Sequence, residues 1–325
     1  MKLYVFEPYD VLSFGGLRHF AGGETHVQKS AFPPPIMRFF HIFERVYGVF
    51  LYKDGKVYIP LPADVVKERK KEDKPNIKIL KLNERGIPLL RGVEGAYEQA
   101  REYFISLKDF FTKYAKGQGD FSICSLRDFI QKEQRVGISI DKDTRTAKDR
   151  FLYSQDFLRF SEGSRIGVLA EGLREDIRDN RVFLGGERRV SYMHSEDLKA
   201  FEKPVSIQKG KLYKFYALSH LFIEGGLKGD LKIGNLRFEV LWFFSAGIEY
   251  VSGFGKPFLE MIKPGSVLLL SALDVGGMGC SICQIESVPT VNYKKRMGKD
   301  KKTLWNLENF LQRGWNSGIL LEVEG

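Results

Sequence analysis

Cysteine is scarce in this sequence, with three in 325 residues (Cys124, Cys280 and Cys283). That excludes a disulfide framework and fits a reducing compartment. Long apolar runs are lacking too: no stretch of about 18 uncharged apolar residues occurs, so no membrane-spanning helix is expected. The opening Met1-Lys2-Leu3-Tyr4-Val5-Phe6-Glu7 has none of the parts of a secretory signal, and the chain is expected in the cytoplasm. Cys280-Ser281-Ile282-Cys283 would need two further ligands to hold zinc, which Cys124 and the scattered histidines do not supply, so structural thiols are expected and no metal. Gly253-Phe254-Gly255-Lys256 lacks the Walker spacing and the Ser or Thr that would hold magnesium, which removes a nucleotide hydrolase. Histidine is rare as well, and the spacing of His19, His26, His41, His194 and His220 singles out none as a general acid or base. No cofactor is implied.

What the chain does have is positive charge and a sizeable apolar fraction. Lys and Arg number 51 against 41 Asp and Glu, a net charge of +10, and 43% of residues are hydrophobic. Such a chain folds, its length suits two domains, and its surface attracts polyanions, RNA or DNA before others. A Lys-rich solvated surface would give the same total, so position has to discriminate.

Leu3 to Phe6 reads as a strand feeding a glycine-punctuated loop, and Pro33-Pro34-Pro35 starts an expected helix whose apolar residues run from Ile36 through Val46. Val49 to Tyr52 and Lys56 to Ile59 form a hairpin about Asp54-Gly55. Val66 to Pro75 is nearly all charge and reads as an exposed insertion. Ser125 and Asp128 make a capping-box pattern for a second helix to about Gln134. Arg135 to Asp141 and Phe151 to Leu158 then form a second hairpin, whose tip carries Lys142, Arg145, Lys148 and Arg150. From about Pro204 short strands follow at Leu212 to Phe215, Leu231 to Ile233, Phe238 to Phe244 and Val267 to Leu270. A helix from Thr303 to Arg313 and a closing strand from Ile319 to Val323 complete the chain. The expected class is α+β, sheets with helices on one face, one unit in each half.

The cations sit where RNA would want them. Arg18, His19 and Phe20 in a glycine-flanked loop offer a guanidinium for phosphate and two rings for bases, or simply pack the loop. Arg38 lies near the start of the proline-led helix, where free N–H groups favour an anion; a surface arginine lying over the aromatic stripe is the competing reading. The hairpin tip could clamp a backbone, although Asp141, Asp143 and Asp149 offset much of its charge. Gly253 and Gly255 permit close approach of a phosphate that Lys256 neutralises, or form an ordinary turn. Arg135 and Tyr153, on the hairpin strands, complete the candidate set.

In chain order these segments resemble the RAMP superfamily, and within it the subunit of type III-B CRISPR (Cmr) complexes that holds the 5′ handle of the guide RNA. The residues are Tyr9-Asp10-Val11-Leu12-Ser13-Phe14 with Leu17-Arg18-His19-Phe20, and Ser30-Ala31-Phe32-Pro33-Pro34-Pro35 with Arg38. Arg135-Val136-Gly137-Ile138 with Asp141, Thr144-Arg145-Thr146-Ala147 and Leu152-Tyr153 is the most specific match. Leu184-Gly185-Gly186-Glu187-Arg188, Ser252-Gly253-Phe254 and Lys263-Pro264-Gly265-Ser266-Val267 follow. A Pro usually stands where His19 does, and Gly-Gly-Trp where Ser252-Gly253-Phe254 does. The resemblance implies two ferredoxin-like (RRM-related) domains with loop and hairpin insertions, assigned to residues 1–200 and 201–325. It also implies no catalysis by this chain, and as partners a guide RNA, the large polymerase-like subunit and the backbone RAMP subunits, with no membrane. The rivals are a RAMP-type processing endonuclease with His19 or His26 as general base, and a scaffold that touches RNA little.

Overall fold

The computed structural model describes residues 1–15, 26–69, 75–82, 88–89, 95–141, 143–174, 177, 180–223, 226–227, 229–251, 259–287 and 309–323. Two large antiparallel sheets organise them. The first runs Ile123–Ser125, Tyr103–Ser106, Lys56–Pro60, Phe43–Lys53, Ser164–Leu173, Lys2–Pro8, Arg189–Glu196, Arg181–Leu184 from edge to edge. The second runs Asp230–Ile233, Leu236–Phe244, Val267–Ala272, Leu212–Ala217, Ser317–Glu322, Ile282–Gln284. Four consecutive strands of each sheet, from Arg189–Glu196 to Phe43–Lys53 in the first and from Ser317–Glu322 to Leu236–Phe244 in the second, lie fourth, first, third, second when counted in chain order, with every neighbour antiparallel.

Alternation along Lys2–Pro8 explains the layering, since successive residues of a strand face opposite sides of a sheet. Tyr4 and Phe6 enter one core with Phe39, Phe43 and Leu158. Leu3 and Val5 enter another with Phe50, Phe110 and Tyr114, and with Tyr216, Val267 and Ile319 of the second sheet. This second core joins the two sheets. The second sheet closes a third core on its far face around Phe215, Phe238 and Leu268.

Asp54 and Gly55 both take left-handed φ, 51° and 73°, the tight turn that an Asp-Gly step favours between strands. The expected strands of the second half are present. The chain is mostly β-sheet, 53% strand against 8% helix, with less helix than the sequence pattern suggests. The proline-led segment makes one 3-10 turn, Ile36–Phe39, and is extended from Phe43. Val49 to Tyr52 is strand as expected, whereas Phe43 to Val46, expected inside the helix, instead begins the strand Phe43–Lys53: buried Phe43 and Val46 stand three apart, a helical spacing, and a register shift at Tyr47 breaks the strand alternation. The capping box at Ser125 exists, with the Ser125 N–H donating to Asp128 Oδ2 at 2.7 Å, but it caps a 3-10 turn, Leu126–Asp128. Pairing from Ile130 onward then takes over. Of the expected late helix, residues 303–308 lie outside the described residues and 309–313 form turns. Of the charged insertion, Val65–Glu68 is a strand paired on both sides, and 70–74 lie outside the description.

The one α-helix among the described residues, Leu107–Thr112, was not foreseen. Its signal was there: Ser106 caps it, accepting from the Asp109 N–H at 3.0 Å. None of the described helices is long and apolar enough to cross a membrane.

Candidate nucleic-acid interface

The second hairpin is longer than its sequence pattern suggested, Ile130–Ile140 against Ala147–Phe160. Its root is core: Ile130, Phe157 and Leu158 are buried, and Leu12 and Leu158 exchange backbone bonds of 3.0 and 2.7 Å. Farther out, Val136, Ile138 and Ile140 share one face of the strand and are 65%, 52% and 57% exposed. At the tip Asp141 Oδ1 accepts from the backbone N–H of Asp143 (2.9 Å) and Thr144 (3.2 Å), which closes the turn. Arg145 is exposed there in a left-handed conformation, φ 55°, its N–H donating to the Asp141 carbonyl. Lys142 lies outside the described residues. Lys148, Arg150 and Tyr153 are placed by backbone alone, Tyr153 opposite Gly137 and beside His26 of the short parallel strand His26–Gln28.

Arg135 is engaged within the protein. Its guanidinium sits 2.7 Å from Glu133 and 4.8 Å from the Phe157 ring centroid. It opens an ionic ladder: Glu133 bonds Arg159 at 2.7 Å, Arg159 is 3.9 Å from Asp10, Asp10 is 3.2 Å from Arg189, and Arg189 is 2.6 Å from Glu187. Arg135 and then Arg159 hold the Glu133 carboxyl below its usual range. The Val11 backbone N–H, and behind it the arginines, do the same for Asp10. The ladder ties the hairpin root to the first loop and to the glycine pair. Gly185 has φ 72° and lies where a Cβ would be 2.7 Å from the Ser13 carbonyl oxygen. The Gly186 N–H donates to that oxygen at 2.8 Å, and Gln155 Nε2 donates to Ser13 Oγ at 2.8 Å. Three motifs separated in sequence thus meet at Ser13.

Arg38 departs from its expected setting. A single 3-10 turn has no macrodipole to offer an anion, and the side chain is largely buried, donating from Nη2 to the Gly15 carbonyl at 2.9 Å. Burial works against its charge and Glu249 partly offsets this. Its Nε is buried without a partner among the described residues. Glu249, 3.1 Å from buried His220, is held below its usual pKa: burial raises it, but His220, Lys263 and Arg38 outweigh that. Arg18, His19 and Phe20, and likewise Gly253, Gly255 and Lys256, lie outside the described residues. Their described flanks, Gly15 on one side and the Ile248–Val251 strand on the other, both come to Arg38. Lys263 and Pro264, just before Gly265 with its φ of 89°, and Glu249 help to line a cavity of about 330 Å³ with Phe32, Tyr103 and Ile248.

The remaining candidates for chemistry are held in the structure. The His41 ring donates from Nε2 to the Phe183 carbonyl at 2.8 Å, and the His26 side chain lies outside the description. All three cysteines are free thiols, and burial pushes the Cys283 thiol far up.

The chain matches the family described as CRISPR-associated protein (Cas_Cmr3) over residues 41–248. It belongs to that family, which bears out the resemblance read from the sequence. A curated relative, the CRISPR system CMR subunit Cmr3 of Saccharolobus solfataricus, is 26% identical over 241 residues, covering 72% of this chain and 67% of its own. Among solved structures, a chain of the type III-B Cmr-beta complex bound to cognate target RNA is similar at TM-score 0.43 and 18% identity, over 82% of this chain and 86% of that one. A chain of the Csm3-Csm4 subcomplex of the type III-A interference complex is similar at TM-score 0.38 and 12% identity, over 85% and 94%. These structural likenesses are distant.

Proposed function

We propose that this chain is a non-catalytic RNA-binding subunit of a type III-B CRISPR effector complex, which anchors the 5′ handle of the guide RNA and docks on the large polymerase-like subunit and the backbone RAMP subunits. Membership of the Cmr3 family supports the complex. The observation that carries the RNA reading is the hairpin, with Val136, Ile138 and Ile140 bare on one face and Arg145 exposed at the tip. Apolar groups beside a cation suit single-stranded RNA, whose bases stack while its phosphates seek charge. Both sheets have the strand order of the split β-α-β unit, which supports two ferredoxin-like domains in which short turns replace much of the helix layer.

The test is binding and cleavage of a guide RNA with its repeat-derived 5′ handle, by the chain alone and with its large-subunit partner, across a salt series with a handle-less RNA as control. Handle-dependent, salt-sensitive binding without cleavage is expected. Cutting of the RNA would instead favour the endonuclease reading through His19 or His26. Absence of binding in both forms would leave a scaffold.

A further inference from the structure

The corner of the first sheet beyond the hairpin root carries an uncovered aromatic surface. Phe183 pairs with Val190, and Arg181 with Tyr192, across the last two strands. Directly opposed residues project to one face. Val182 and Leu184 turn into the core, while Phe183 is 58% exposed and Tyr192 and Val190 lie open beside it. Tyr9, 68% exposed, adjoins this face, its backbone N–H donating to the Val190 carbonyl at 3.2 Å. Nearby carboxylates are neutralised: Glu7 by Arg165 at 3.0 Å, Asp10 and Glu187 by Arg189. Arg181 and Arg188 are exposed, with no acidic partner among the described residues.

We infer that this corner is a second contact surface for single-stranded RNA, a stacking platform of Tyr9, Tyr192 and Phe183 with Arg181 and Arg188 to take phosphates. Rings accept any base by stacking, and uncompensated guanidinium groups complement a polyanion. The surface continues from the hairpin root, because Asp10, next to Tyr9, stands in the ionic ladder. An added protein strand fits the edge less well. Nε2 of His41 already donates to the outward Phe183 carbonyl at 2.8 Å, a group such a strand would need.

The inference rests on the RNA-binding reading above, and the experiment separates the two. The full chain is photocrosslinked to single-stranded RNA carrying the 5′ handle with 4-thiouridine at successive positions, and affinities are measured for the parent and for the F183S/Y192S double variant. Crosslinks to peptides holding Tyr9, Phe183 or Tyr192, and an affinity loss of about tenfold per ring removed, are expected. The variant should keep the parent's melting temperature, since both rings are exposed. Crosslinks confined to residues 130–160 with unchanged affinity would overturn the platform and leave the hairpin reading standing. Unchanged RNA affinity with lost assembly onto the other Cmr subunits would make the corner a protein surface and overturn it as well. A parent chain that binds no RNA, alone or assembled, would remove both readings.

Discussion

Replacing Lys214 by Met should loosen the junction of the two sheets more than any exposed charge removal. Asp64, in the first half of the chain, is fully buried and its Oδ2 lies 2.6 Å from Lys214 Nζ, which is itself 15% exposed. The Tyr114 hydroxyl donates to the same carboxylate at 2.8 and 3.0 Å, and Lys214 lies 4.8 Å from that ring's centroid. Burial, and then the charge of Asp64, raises the Tyr114 pKa, so the hydroxyl stays protonated as a donor. Removing the ammonium leaves a buried carboxylate with one hydroxyl, a loss of about 3–5 kcal/mol. With unfolding entropy near 2.1 cal/mol/K per residue, about 0.7 kcal/mol/K for this chain, the midpoint should fall by roughly 4–7 °C. Asp64→Asn should cost less, about 1–3 kcal/mol, because a lysine can extend its head toward water. The pair D64N/K214M should be less destabilised than the two singles taken together, as coupled partners are. Thermal and denaturant unfolding of the four proteins decides. A K214M protein melting within a degree of the parent, or additive effects, would refute a working ion pair at this junction.

Gly185→Ala forces a side chain into a left-handed backbone, 2.7 Å from the Ser13 oxygen, and should cost about 1–3 kcal/mol in the same unfolding assay. Arg145→Ala should lower the slope of log affinity against log salt by about one and weaken binding evenly across RNA sequences. Glu249→Gln tests a pH dependence. Its carboxyl is held below the ordinary 4.5 in the folded chain, so its contribution is present above that pH and disappears as pH falls through the lowered value. The variant should therefore be less stable than the parent at pH 7 and converge with it in acid; a constant gap from pH 7 to 3 would contradict the assignment.

Local signals carried the hairpins and most second-half strands into the sequence reading, because turn chemistry and alternation act over a few residues. Asp54-Gly55 fixes its own turn, and Leu212 to Phe215 alternates as one face packs a core. Phe43 to Val46 failed for the opposite reason: a register shift at Tyr47 breaks the alternation and leaves buried Phe43 and Val46 three apart, a spacing that mimics a helix. The Ser125–Asp128 box announced a start but not a length, and the ladder from Ile130 overruled it. At the candidate interface, Arg135 was visible as a cation but not as the partner of Glu133 and Phe157. The bond from Arg189 to Asp10 joins residues 179 apart in sequence, which no spacing rule reaches. The paired sheets were implied by family resemblance, and their common strand order emerges only from the pairing.

The hairpin itself should behave as two regions. Near Leu158 it is anchored by core packing and by the bonds to Leu12, and His26–Gln28 adds a third strand only at Tyr153 to Gln155. Beyond that point the ladder has two strands, through Ile138 opposite Leu152 to Ile140 opposite Ala147, with a register shift between. A two-stranded ribbon is marginal in water by itself. Amides from Val136 to Leu152 should therefore exchange with solvent hydrogen far faster than those of Ile130 to Lys132 and Phe157 to Phe160. If RNA is held by this distal part, a ligand at a hundred times its dissociation constant adds about 2.7 kcal/mol to any state that must close to bind it. Exchange of the distal amides should then slow by roughly a hundredfold while the root changes little. Strong protection along the whole hairpin without RNA would mean that the ribbon is stiffer than its contacts allow. Unchanged distal exchange in the presence of bound RNA would place the nucleic acid elsewhere on the chain.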